Sequence, residues 1–169
     1  MNSPFANIFL SIQSRIKANA PFIKHSDQDL GQLKAARPAV SWPCVLIALE
    51  DFSFTALSEN VQQARGTVVL RLAFPPYSST SSATPQPFAE QALSYYDIEW
   101  QLHKVLQGWQ PSEVCGRLDR VTTTTQKRND NYRVREMRYS LAFDDYSTRY
   151  EQSFTHAALV IEPVLNINA

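Results

Sequence analysis

Between Phe88 and Trp109 the apolar residues Phe88, Ala92, Tyr95, Ile98, Leu102, Val105 and Trp109 recur at helical spacing over more than five turns, and Gly108 stands where a helix C-cap belongs. A helix this long with one apolar stripe needs a surface that buries the stripe. The remaining segments supply that surface as strands. Pro43-Cys44-Val45-Leu46-Ile47-Ala48-Leu49 is an apolar run bounded by Pro and by Glu50-Asp51, which fits a strand buried on both faces, and Phe52, Phe54 and Ala56 extend it to Leu57. Gly66 to Phe74 is a second, β-branched strand, expected antiparallel to the first.

Two further extended segments, about 114–125 and 132–146, flank Gln126-Lys127-Arg128-Asn129-Asp130-Asn131, whose Asn and Asp residues suit a tight turn. Together they read as a long hairpin that protrudes from the sheet. In its second arm Met137, Tyr139, Leu141 and Phe143 alternate with Arg138, Ser140, Ala142 and Asp144, giving one buried and one wet face. Near the start of the chain, Phe5, Ile8, Phe9, Ile12 and Ile16 predict a helix over about 4–19, capped by Ser3 and opened by Pro4. An irregular polar stretch is expected from Lys24 to Arg37. Residues 75–87, PPYSSTSSATPQP, carry no charge and read as a surface loop. A short extended stretch, Ala158-Leu159-Val160-Ile161, leads into a polar tail, 162–169. The expectation is one α+β domain over 1–169, with a mainly antiparallel sheet, an N-terminal helix and one long helix packed across it.

Composition narrows the function classes. The chain has 169 residues, the size of one ordinary domain, and its 44% hydrophobic content excludes disorder of the whole chain. Sixteen basic residues balance sixteen acidic ones, which argues against sequence-specific nucleic-acid binding and suits self-association. No apolar run approaches the roughly 20 residues that cross a bilayer. The N-terminus lacks the basic and apolar regions of a signal peptide, so residence in the cytoplasm is expected.

Sites for chemistry are scarce. The four glycines, Gly31, Gly66, Gly108 and Gly116, are too dispersed for a phosphate-cradling loop. His25, His103 and His156 lack partners at metal-ligand spacing, and Cys44 and Cys115 lack a neighbour that would activate a thiol. The pairs Glu50-Asp51 and Asp144-Asp145 point to opposite faces of a strand and read as solvated strand ends. No enzymatic activity, metal or cofactor is expected. One charged constellation stands out: Lys127, Arg128, Arg133, Arg135 and Arg138 face only Asp130 and Glu136 along the hairpin. Lys127, Arg128, Arg133 and Arg135 are the candidate contact residues toward an acidic partner, the alternative being a solvated β-face on which Arg discourages edge pairing.

The order of these elements resembles a known family. An N-terminal helix, the Pro38-Ala39-Val40 lead-in to an apolar strand, the strand beginning Gly66-Thr67-Val68-Val69-Leu70-Arg71-Leu72, a helix ending Leu102-His103-Lys104-Val105-Leu106-Gln107-Gly108-Trp109, and the segments Arg117-Leu118 and Tyr139-Ser140-Leu141-Ala142-Phe143 are together similar to tail terminator, or tail completion, proteins of long-tailed phages and prophages. The resemblance covers about residues 4–146. It implies a non-enzymatic α+β structural protein that assembles as a homo-oligomeric ring, commonly a hexamer. Such a ring stops growth of the tail tube and meets the head-completion proteins. Assembly in the host bacterial cytoplasm and a place in the virion tail or neck follow from it. Two other readings share the same elements: a neck or connector component of the same particle, and a small α+β ligand-binding or enzyme domain with Tyr95, Trp100, Tyr139 and Phe143 around an apolar pocket.

Overall fold

The computed structural model describes residues 3–35, 37–76 and 79–148. The Ser3 side chain accepts from the Ala6 amide and opens α1 (Pro4–Asn19), with Pro4 in the first turn where its missing N–H costs nothing. One face of α1 buries Ile8, Ile12 and Ile16. The polar stretch after it is not wholly irregular: it contains a short strand, β1 (His25–Gln28), and a single 3₁₀ turn, Gln32–Lys34. Four residues without apolar alternation carry no strand signal, and β1 forms because the edge of the next strand offers it hydrogen bonds in parallel register, His25 opposite Cys44 to Gln28 opposite Ile47.

The strands β2 (Cys44–Ser58) and β3 (Val61–Phe74) form a long antiparallel hairpin, and β4 (Asp119–Gln126) and β5 (Arg133–Asp145) form another. They join through β3 and β5 into one five-stranded sheet of order β1-β2-β3-β5-β4. The first hairpin is longer than its sequence pattern implies, because Asn60 takes φ +59° and closes a two-residue turn where a longer connection was expected. The segment 114–118, by contrast, is not strand apart from a bridge between Cys115 and Phe143.

The expected long helix is bent at Ser94 into α2 (Gln86–Leu93) and α3 (Tyr95–Leu106). The Ser94 N–H and hydroxyl both donate to the Gln91 carbonyl, which tightens the turn and redirects the axis. Gly108 takes φ +72° just past the end of α3, as its position predicts. Because Gln86 begins α2, the Pro- and Ser-rich loop ends at Pro85. The helices lie on one face of the sheet, where Val45, Ile47, Val68, Leu70, Leu72, Met137, Tyr139, Leu141 and Phe143 meet Ile8, Ile12, Ile16, Leu102 and Leu106. A smaller cluster on the opposite face, Leu33, Cys44, Leu46, Ala73 and Val134, is covered by Val40 and Trp42. No helix among the described residues is long and apolar enough to cross a membrane. The expected strand at 158–161, the tail 162–169 and His156 lie outside the described residues.

Candidate functional site

The β4–β5 turn does not stand free. Trp42 stacks on Tyr132 with ring centroids 5.1 Å apart, and the Arg128 guanidinium donates to the Leu33 carbonyl and pairs with Asp130. The hairpin expected to protrude is therefore anchored to the loop beside β1, and the Arg128 side chain is only 17% exposed. Hydrogen bonding from Arg128 also holds the Asp130 carboxyl below its ordinary range.

Alternation along β5 sends its arginines to opposite faces of the sheet. On the helix face, Arg133 donates to the Ala92 carbonyl and lies over the Tyr95 ring at 4.3 Å, fastening the end of α2. Arg135 pairs with Glu99 of α3 and donates to Thr125, while Arg120 reaches the same carboxylate at 4.0 Å. Glu99 is only 7% exposed, so this pair is a buried tie between helix and sheet. On the opposite face, Arg138 contacts Glu136 at 3.0 Å and Glu50 and Asp51 at 3.2 Å, and Arg71 bridges Asp29, Glu50 and Glu136. Although burial opposes ionisation of Glu136, its hydrogen bonds from Arg138 and Gln126 and the charge of Arg71 hold its carboxyl below the ordinary value.

The positive surplus that the hairpin shows in sequence is thus matched by acids from other segments. Of the four candidate contact residues, Arg128, Arg133 and Arg135 have their guanidinium groups engaged within the chain, and Lys127 stands exposed at the tip. The acids Glu50, Asp51 and Glu99 lie 36 to 88 positions in sequence from Arg135 and Arg138, which they pair with, so short-range spacing gives no sign of the pairing.

A second surface feature was not legible as such. Phe88, placed on the buried stripe by its spacing, is 56% exposed, and Leu93, Tyr96 and Trp100 of the helices and Val121 of the edge strand β4 are exposed as well. Tyr96, Trp100 and Lys104 recur every four residues along α3, and the Lys104 ammonium sits 3.4 Å from the Trp100 ring centroid. That spacing was available in the sequence. The four aromatics of the pocket reading do not line one cavity, since Trp100 points to solvent while Tyr95, Tyr139 and Phe143 belong to the core.

The remaining polar candidates are structural in their surroundings. His103 Nδ1 lies 3.1 Å from the buried Tyr139 hydroxyl, and burial with the nearby Arg120 charge lowers its pKa below the ordinary value. Cys44 and Cys115 are free and buried, burial pushing the Cys44 thiol up to about 12. Among the described residues no group of three or more His, Cys, Asp or Glu is arranged to hold a metal ion.

No protein-family model matches the chain, and no curated protein matches it. Among solved structures, a chain from the virion of a native gene transfer agent particle matches with a TM-score of 0.56 at 12% identity, over 86% of this chain and 100% of that one. At that identity the likeness is one of fold.

Proposed function

We propose that this chain is a structural protein of a phage-like virion, and within such a particle a tail terminator whose ring caps the tail tube and joins it to the head-completion complex. The observation that carries the virion reading is the fold match, which spans the whole of the virion chain it aligns with. The terminator assignment rests on the resemblance of the segments ending in Gly108-Trp109 and beginning Gly66-Thr67. The surface agrees with an assembly role: Phe88, Tyr96 and Trp100 are large side chains left in solvent, the kind that anchor protein contacts. In this reading Lys127 meets an acidic partner at the hairpin tip, and Arg128, Arg133 and Arg135 shape that surface through their internal ties.

Polymerising tail-tube protein from the same particle in the presence of the purified chain tests the proposal. The expected result is tubes of arrested length with added mass at one end in electron micrographs. Tubes that grow unchecked without bound chain would overturn it. Binding to the head-completion proteins alone would replace the terminator assignment with a connector.

A further inference from the structure

Strand β1 covers only Cys44–Ile47 of β2, and the Asp29 amide closes that pairing at the Ile47 carbonyl. From Ala48 to Ser58, among the described residues, no strand pairs with β2 on the side away from β3. At the other end of the sheet β4 pairs with β5 alone among the described residues. Each open edge holds six successive residues without charge or proline, Ser53 to Ser58 and Val121 to Gln126, so the usual protections against strand addition are missing from both. Their flanks carry opposite charge. Exposed acids, Asp51 and Glu59, bracket the stretch in β2, and the Asp51 side chain remains 77% exposed beside Arg138. Exposed bases, Arg120 and Lys127, bracket the stretch in β4. A helix also runs beside each edge. Next to β2, Phe5, Phe9 and Leu10 of α1 line an open groove of about 590 Å³ with Ile47 and Leu49. Next to β4, α3 is aligned by the Gln107 side chain, which bonds Asp119 and the Arg120 amide, and by Arg135, which donates to Thr125 and lies over the Tyr96 ring. Tyr96, Trp100, Lys104 and Gln107 fall on one stripe of that segment, so the two exposed aromatics lie on the β4 side.

We propose that the occupant of the β2 edge is the β4 edge of a second copy of this chain, paired antiparallel over Ser53–Ser58 and Val121–Gln126. Each edge suits the other better than it suits itself. Antiparallel pairing of β2 with β4 brings Arg120 beside Glu59 and Lys127 beside Asp51, whereas β2 on β2 would set acid against acid and β4 on β4 base against base. Within one chain β4 runs opposite to β2, since three antiparallel pairings separate them. A copy set alongside in the same orientation therefore presents β4 antiparallel to β2, with the helices of both copies on one face of a continued sheet. Face parity agrees with this placement. Setting Val121 opposite Ser58 pairs Thr124 with Thr55, both on the face away from the helices, and Thr125 with Phe54, both on the helix face. The Tyr96–Trp100 side of α3 then comes toward the Phe5–Leu10 groove of α1. Two different surfaces meet, so the contact is head to tail, and it generates a ring when the rotation between copies closes. This contact rests on the ring reading proposed above and supplies its subunit interface, with Asp51 of the next copy as the acidic partner of Lys127.

Cysteine cross-linking of mixed copies tests it. Full chains carrying Thr55→Cys or Thr124→Cys are purified separately, the native Cys44 and Cys115 being buried. Under mild oxidation the mixture is expected to give disulfide-linked dimers in about tenfold excess or more over either variant alone. Thr55→Lys and Thr124→Lys, each placing a charge within one edge, are expected to leave the melting temperature unchanged. Each is also expected to reduce the mass in light scattering to one subunit under conditions in which the parent assembles. Cross-linking of one variant alone as strong as that of the mixture would overturn the head-to-tail contact in favour of like edges. An assembled parent whose mixture fails to cross-link, or whose lysine variants still assemble, would overturn the β2–β4 contact and leave the ring reading standing. A parent of one subunit under every condition, tail-tube protein included, would overturn both.

Discussion

Glycine at position 66 is required by Phe52. A Cβ built there would lie 2.4 Å from the Phe52 ring, which crosses β3 because β2 bulges between Glu50 and Ser53 with Asp51 at φ +57°. The bulge reverses the parity of the strand: Val45 and Ile47 face the helices before it, and Phe52 joins Phe5 and Phe143 at centroid distances of 5.1 and 5.8 Å after it. That switch from odd to even apolar positions was visible in the sequence, yet the partner of Phe52 was not, because a missing side chain leaves no periodic mark. Gly66→Ala is expected to destabilise by about 1–3 kcal/mol, read as a lowered melting temperature; unchanged melting would contradict the contact. His103 sets a pH dependence. Its pKa is lower folded than unfolded, so between the two values the unfolded chain binds more protons and stability falls as pH drops below 6.5. His103→Gln is expected to flatten the change of melting temperature with pH just below 6.5, and an unaltered slope would show that His103 does not contribute it.

Among the elements, α1, the β2–β3 pair, the α2–α3 segment and β5 were legible because each carries an apolar period matched to its conformation. Strand β1 was not, since its pairing is supplied by a neighbour, and the bend at Ser94 was hidden because apolar spacing continues through it. The hairpin basic patch shows the same division: the charges were countable, their partners were not. Arg135 ties β5 to α3 through Glu99, and Arg135→Met would leave that buried carboxylate with only the distant Arg120, at a cost of about 3 kcal/mol or more. Pairing it with Glu99→Gln is expected to recover much of the loss, because no buried charge is then unmatched. Equal melting of the single and double variants would contradict the tie. Reversing Lys127 to Glu, in contrast, is expected to leave the melting temperature within about 0.5 kcal/mol of the parent, a surface value. Under the proposed function its effect is expected in partner binding, strongest at low salt, and binding unchanged at low salt would contradict a contact role for Lys127.

At the scale of the whole molecule, the sheet is covered by helices on one face and only partly by the 29–42 loop on the other, while Phe88, Tyr96 and Trp100 remain outward. The buried Arg135–Glu99 pair and the Arg71–Glu136 pair tie helix to sheet and strand to strand. The fold class followed from periodicity; the outward aromatics and the internal pairing of the arginines needed three-dimensional placement. The central claim, a structural protein that works as an oligomeric ring, is tested most directly by the mass of the purified full chain in solution, measured by light scattering across a range of concentrations and salt. The account predicts a closed assembly of several 19.2 kDa subunits, or its formation on addition of tail-tube protein. A mass of one subunit at every concentration, with and without the tube protein, would contradict it.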